Sequence, residues 1–502
     1  MKAKPSNKFF MGIDQGTTGT TTLILNDDWE VHSQGYIEHT QLYPQPGWVE
    51  HDALEIWDKT KMSINLALKN GDLKIDDVIS LGIANQGETV VVWDKKTGIP
   101  VYNAIVWQDK RTAKEADEVK ETWGEIIKSK TGLSVDSYYS ALKIKWILDH
   151  VEGAREKAEA GQLAAGTLDT WLIWKMTNKE LHITDHSTAS RTMLMNIAGG
   201  CWDDEILEIL TIPKSMMAEI RSSSELYGKT DPTSFLGANL SISGSIVDQQ
   251  AALFGQACFS AGDSKTTYGT GCFMLMNTGE KATESKSGLI NTVAWSIENN
   301  VSFALDGGIY IAGAAIQWLK DGIGFIKTAE ETDPLARSVP DTGGVYFVPA
   351  FVGLASPHWD QYARGTIVGI TGGTTRAHIV RAALESIAYQ VKENMDAMEK
   401  ETGITIQSMR VDGGLVSNEF LMQFQADILG IPIEVPKITE TTALGAAYLA
   451  ALAIGEFRSV HEIASKWKVS KTYTPQMTKE KRELLMSNWS RAVERSRNWA
   501  VN

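Results

Sequence analysis

The sequence predicts an α/β protein built as two similar halves, and three observations carry that expectation. Apolar strand-like runs alternate with amphipathic helical stretches along the chain, the pattern of layered α/β domains. A strand, a tight Gly/Thr turn and a second strand occur twice, as FFMGIDQGTTGTTTLILND from Phe9 and as SKTTYGTGCFMLMNTG from Ser264. Superposing Gly16 on Gly269 separates the two copies by about half the chain, the spacing of a duplicated domain that opens on a β-hairpin.

Between the hairpins, LGIANQGETVVVWD (81–94) is an apolar strand run that ends at Gln86, Gly87 and Glu88. A carboxylate there, beside a glycine that leaves space, suits a neutral polar ligand. SALKIKWILDHVEGAREKAEAG from Ser140 sets Leu142, Trp146, Ile147 and Val151 at helical spacing. SIVDQQAALFG places Asp248 between an apolar strand and an apolar helical run.

After the second hairpin, HIVRAALESIAYQVKENMDAMEKETG lines up Ile379, Ala383, Leu384, Ile387, Val391, Met395 and Met398 as one stripe, with Gly403 as C-cap. RVDGGLVSNEFLMQFQADILG predicts a strand ending at Asp412, Gly413 and Gly414, then a helix. ALGAAYLAALAIG from Ala443 falls short of the roughly 18 residues of a membrane span and predicts a small-residue helix buried in a core. The tail beyond Tyr473, rich in Lys, Arg and Glu with Trp489 and Trp499 at intervals, predicts a solvated pair of terminal helices.

At 502 residues the chain is too long for one ordinary core, and 43% hydrophobic with 22% charged residues suits a globular protein. No Pro- or Ser-rich linker divides it. The break is expected near residues 254–265, giving an N-terminal domain over 1–255 and a C-terminal domain over 256–502. A net charge of −14 argues against nucleic acid or an anionic membrane surface as partner. Cys201, Cys258 and Cys272 lack CxxC spacing, so buried free thiols in a reducing cytoplasm are expected rather than a disulfide framework or zinc site. MKAKPSNKFFMGIDQG has no apolar stretch of signal-peptide length, which also favours a cytoplasmic location without membrane insertion.

Several residues bring chemistry. In DQGTTGTT, Gly16 and Gly19 let successive N–H groups converge and Thr17 and Thr18 add hydroxyls, as a phosphate requires; an ordinary hairpin turn fits equally well. Asp14, at the strand end, could hold magnesium through water. TYGTGCF repeats the turn with Gly269, Thr270 and Gly271, so a polyphosphate could be gripped from both sides. Gly413 and Gly414 allow close approach to a base or ribose, while Asn418 suits either a nucleotide or the cap of its own helix. No GxxxxGK[ST] motif is present, and no GxGxxG stands at a strand-to-helix turn. Asp248 could accept the proton of an attacking hydroxyl, or cap the helix Gln249–Phe254.

Taken together, DQGTT, PGWVEHD, NAIVWQDKRT, YYSALKIKWILDH, GTLDTWLIWKMT, DQQAALFG, YGTGCFMLMNTG, RVDGGLVSN and TALGAAYLA resemble the glycerol kinase branch of the FGGY carbohydrate kinases, in the same order from about residue 9 to about 455. The resemblance implies two ribonuclease-H-like domains of the actin, hexokinase and 70-kDa heat-shock ATPase type, with ATP and substrate in the cleft between them. It implies ATP- and Mg2+-dependent phosphorylation of a primary hydroxyl. It further implies Asp248 as general base, with Glu88, Tyr138, Asp248 and Gln249 hydrogen-bonding a polyol and Trp107 and Phe273 packing on its carbon edge. Gly16, Thr17, Thr18, Thr270, Gly271, Gly313, Gln317, Gly414 and Asn418 would hold the nucleotide, with Asp14 near the magnesium. A homodimer or homotetramer is compatible with the chain.

The departures cluster at the same centre. That branch carries Arg at the positions of Gly87 and Thr21, and Gly at the position of Val247. Losing a charged hydrogen bond at 87 without compensation would weaken glycerol binding by roughly 10- to 150-fold. Either a neighbour or water replaces the clamp, or the vacated volume takes a longer polyol or ketose. TSFLGANLSIS (233–243) has no Lys or Arg, unlike the longer basic loop through which many bacterial members bind fructose 1,6-bisphosphate, so no such inhibition is expected. A nucleotide-gated regulator on the same fold is the alternative from another functional class.

Overall fold

A computed structural model describes residues 8–500; the first seven residues of the segment weighed above as a signal peptide lie outside the described residues. One thirteen-stranded sheet runs through both halves. Its N-terminal strands are β1 (Phe9–Gln15), β2 (Gly19–Leu25), β3 (Val31–Glu38), β4 (Val78–Asn85), β5 (Ser224–Lys229) and β6 (Ser241–Val247). Its C-terminal strands are β7 (Ser264–Tyr268), β8 (Cys272–Gly279), β9 (Ile290–Ile297), β10 (Asn300–Ile309), β11 (Met409–Asp412), β12 (Ile433–Pro436) and β13 (Val469–Tyr473).

The duplication is visible in the order. In the N-terminal half β3-β2-β1-β4-β6 are neighbours, antiparallel through the hairpins and parallel from β1 to β4 to β6. In the C-terminal half β10-β8-β7-β11-β12 repeat that order and those directions. Each half is therefore a ribonuclease-H-like unit opening on the expected hairpin. β9 and β5 join the two units edge to edge.

The helices used below are α1 (Ser140–His150), α2 (Asp248–Gly255), α3 (Arg376–Thr402), α4 (Glu419–Leu429) and α5 (Thr441–Ala453). α5 is the buried small-residue helix expected, but it packs across the halves, against β1, β4, β6 and α2 of the N-terminal half. Glycines make this possible. Gly12 and Gly82 are register partners on β1 and β4, and a Cβ built on them would lie 1.8 Å from Ala443 O and 2.0 Å from Ala446 O. Any side chain there would push the helix off the sheet. Strand β1 is covered on both faces, which is why FFMGI reads as a continuous apolar run.

The long stripe forms α3 and stops at Gly403, left-handed at φ 70°. Three expectations need correction. The segment from Ser140 is two helices, α1 and Ala154–Glu159, because Gly153 turns the chain at φ 72°. The tail holds one helix, Lys479–Ser496, rather than a solvated pair: Trp489 is fully buried and stacks on Tyr389 at 5.2 Å, while Trp499 is exposed. The cysteines are free, but only Cys258 and Cys272 are buried; Cys201 is exposed. Among the described residues no helix is long and apolar enough to cross a membrane.

Candidate active site

Parallel strands of such a sheet leave their carboxyl ends free for ligands, and the candidate residues collect there. In the N-terminal half these are Asp14 on β1, Gly87 and Glu88 just after β4, and Asp248 just after β6. In the C-terminal half they are the turn after β7 and the Gly413-Gly414 pair after β11.

Asp248 is the first residue of α2, with Val247 in the cap position. Its carboxylate accepts from the Gln249 amide at 2.7 Å, so the helix-cap alternative does not describe it. Burial, then the charge of Glu88, pushes its carboxyl up to about 6, against the opposing Gln249 N–H, Lys265 and Arg191. A carboxylate of that affinity exchanges protons near neutral pH. Burial also holds Asp14 well above the ordinary range, assisted by Asp248 and Glu440. Its Oδ1 is buried without a protein partner, an orphaned hard oxygen suited to Mg2+, which keeps most of its ligands as water and phosphate. Among the described residues no cluster of three ligating side chains forms a protein-only metal cage.

Glu88 is not alone. Arg191 Nε donates to its Oε1 at 2.7 Å, and Arg191 Nη1 donates to Asp306 Oδ2 at 3.1 Å. All three side chains are almost entirely buried, and Asp306, on β10, belongs to the other half. The room beside Gly87 is filled: a Cβ there would lie 2.7 Å from Val247 Cγ2 and 3.7 Å from Arg191 Cγ. The two departures thus compensate each other sterically. Thr21 stands opposite Asp14 on β2.

Tyr138 is carried by a loop fixed from behind by Lys143 of α1. The fully buried ammonium donates to the carbonyls of Ser137 at 2.7 Å and Tyr139 at 3.0 Å, and to that of Tyr138 itself. Burial lowers Lys143 to about 7. The Tyr138 ring meets Trp107 edge-on at 5.7 Å, and Trp107 Nε1 donates to Thr17 Oγ1 at 2.9 Å. Gln249 Oε1 accepts from Lys265, a buried lysine of β7. Phe273 on β8 lies over Gly308, whose Cβ would be 3.6 Å from its ring.

The two turns share their closing bond, Gly16 N to Gly19 O at 3.0 Å and Gly269 N to Gly271 O at 2.9 Å. Gly313 starts a short helix docked on the second turn: its N–H donates to Gly269 O, that of Ala314 to Thr270 O, and a Cβ on Gly313 would clash with Gly269 O at 2.6 Å. Gly413, at φ 91°, makes the close approach, its Cβ position 2.4 Å from Tyr268 O, whereas Gly414 is exposed with open space. Asn418 caps α4, accepting from Leu421 N and donating to Thr332 Oγ1, each at 2.9 Å. Thr18, beside Thr17 in the first turn, is exposed near Tyr36 OH, and Gln317, at the end of the short helix that Gly313 starts, is exposed with its amide on Asp321; neither side chain bonds to another candidate.

The sequence reading missed Arg191, Asp306, Lys265 and Lys143. The available signal was a lone charge in an otherwise uncharged stretch, as in TASRTM, FALDGG, SKTTYG and SALKI, since such residues are rarely buried unless paired.

Comparison with known proteins agrees with this architecture. Residues 9–255 match the N-terminal domain of the FGGY family of carbohydrate kinases, and residues 264–454 its C-terminal domain. The chain is 56% identical to glycerol kinase 2 of Thermotoga maritima and 55% identical to the glycerol kinase of Petrotoga mobilis, in each case over 98% of this chain and 99% of the relative. The crystal structure of Plasmodium falciparum glycerol kinase with ADP superposes with a TM-score of 0.91 at 36% identity, over 98% of both chains. The Lactobacillus acidophilus gluconate kinase shares the fold, with a TM-score of 0.87 at 20% identity over 97% of both chains. On these matches the chain belongs to the FGGY family of carbohydrate kinases.

Proposed function

We propose that the protein transfers the γ-phosphoryl group of ATP to a primary hydroxyl of glycerol, giving glycerol 3-phosphate and ADP in the cytoplasm. The single observation that carries this reading is Asp248, a carboxyl poised at about 6 beside the Glu88–Arg191 pair. Asp248 takes the hydroxyl proton as that oxygen bonds to the γ-phosphorus, and the bond from phosphorus to the β,γ-bridging oxygen breaks to release ADP. Such transfers depend on alignment and charge neutralisation more than on covalent help.

The polyol is oriented by Glu88, Tyr138 and Gln249, with Trp107 and Phe273 against its carbon edge and Gly87, backed by Val247, at its side. The nucleotide is held by the turns at Gly16, Thr17 and Thr18 and at Thr270 and Gly271, with Gly313, Gln317, Gly414 and Asn418 around the nucleoside. Asp14 would hold Mg2+, which when bound neutralises phosphate charge. The N-terminal domain, 1–255, then supplies the base and polyol contacts, and 256–502 most of the nucleotide contacts.

Val247 favours glycerol over a longer polyol or ketose, because its Cγ2 occupies the volume beside Gly87. The test is kcat/KM side by side for glycerol, dihydroxyacetone, erythritol, threitol, ribulose and xylulose. Glycerol should lead; a tetritol or pentulose ahead of it would assign the longer substrate. ATP turnover that no polyol raises above background would leave a nucleotide-gated regulator.

A further inference from the structure

We infer that Arg191 is a substrate-binding residue whose Nη2 group donates to a hydroxyl of the polyol other than the one phosphorylated. The inference rests on the function proposed above and deepens it. A guanidinium carries five N–H donors in a fixed plane. In Arg191, Nε is given to Glu88 and Nη1 to Asp306, while Nη2 has no acceptor among the described residues. Yet Nη2 is not among the polar atoms sealed off without a partner, although the side chain is only 5% exposed. It keeps a small opening, where an unpaired charged donor would otherwise be costly.

Candidate-site residues stand beside that side chain. The guanidinium lies 5.8 Å from the Tyr138 ring centroid, the aliphatic stem runs beside Gly87, and the charge acts on Asp248. Asp306 and Glu88 fix the guanidinium plane from two sides, so Nη2 cannot turn away without breaking a charged pair. Glu88 Oε2, which accepts from no donor among the described residues, is likewise not among the sealed atoms. A donor beside an unpaired carboxylate oxygen matches the dual donor and acceptor character of adjacent hydroxyls.

The experiment compares kcat/KM of the full chain and its Arg191→Lys variant on glycerol, propane-1,2-diol and propane-1,3-diol. Each diol lacks one of the two hydroxyls beyond the reacting one. Lysine keeps the charge but cannot hold two carboxylates and reach a third group in one plane. The variant should lose roughly 10- to 150-fold on glycerol and less than about threefold on one diol, the one missing the hydroxyl that Nη2 binds. Equal losses on all three substrates, or no loss on glycerol, overturn the inference. If the variant does not fold, a crystal structure of the wild-type protein with glycerol decides: Nη2 should lie about 3 Å from a glycerol oxygen, and no oxygen within about 4 Å overturns it. A wild-type protein that does not phosphorylate glycerol would instead bring down the proposed function, and this inference with it.

Discussion

Lys265, on β7 of the C-terminal half, donates its ammonium at 2.6 Å to the side-chain oxygen of Gln249, the residue after Asp248. The same ammonium reaches Thr267 Oγ1 at 2.9 Å. Burial lowers its affinity for a proton, while Asp412, Asp306 and Asp248 raise it. The cation from one half thus fixes a neighbour of the proposed base in the other and helps keep that base ionised. The acidic limb of the kcat/KM profile is expected near pH 6 in the wild type, and Lys265→Met should move it to higher pH. A limb that stays in place would remove Lys265 from this role.

Asp248→Asn should lower kcat by about 100-fold or more while leaving ADP binding intact. It should also change stability with a definite sign. The folded carboxyl titrates at about 6 against an ordinary 3.8, so the native state holds the proton more tightly than the unfolded chain. Stability from this group is complete below about pH 4 and is lost as pH rises through 6; above that the buried charge costs on the order of 3 kcal/mol. The asparagine variant should therefore melt above the wild type at pH 8, with the gap closing toward pH 4.

Gly87→Ala should destabilise the protein by about 1–3 kcal/mol, because its Cβ would meet Val247 Cγ2 at 2.7 Å. Val247→Ala in the same chain should recover most of that loss. Urea unfolding of the two single variants and the double variant measures the coupling; simply additive losses would contradict the contact.

Asn418 has its side-chain acceptor on Leu421 N and a donor on Thr332. Asn418→Ala should cost about 1 kcal/mol through loss of the cap, whereas Asn418→Asp preserves it. A raised KM for ATP in the aspartate variant, which keeps the cap and gives up only the bond to Thr332, is the expected signature of nucleotide contact. An unchanged KM would leave Asn418 with the cap alone.

The segment 233–243 offers no Lys or Arg to a sugar bisphosphate. Kinase activity should stay constant as fructose 1,6-bisphosphate is raised through the sub-millimolar range. A falling curve would show that other residues bind it.

The sequence by itself determined the duplicated hairpins, the α3 stripe closed by Gly403, the buried small-residue helix α5 and the placing of Asp248 at a strand end. Each is a local matter of side-chain period, turn chemistry or capping, written within one turn or one strand. It could not show that Val247 fills the room beside Gly87, since the two meet only where β4 and β6 run in parallel. Nor could it show that Glu88 is held by Arg191, or that Arg191 reaches Asp306 on the opposite half. Those pairings were decided by tertiary structure, because periodicity reports which face a residue presents and not what stands opposite it. A charged group becomes affordable in a core only once the partner that neutralises it has been brought there.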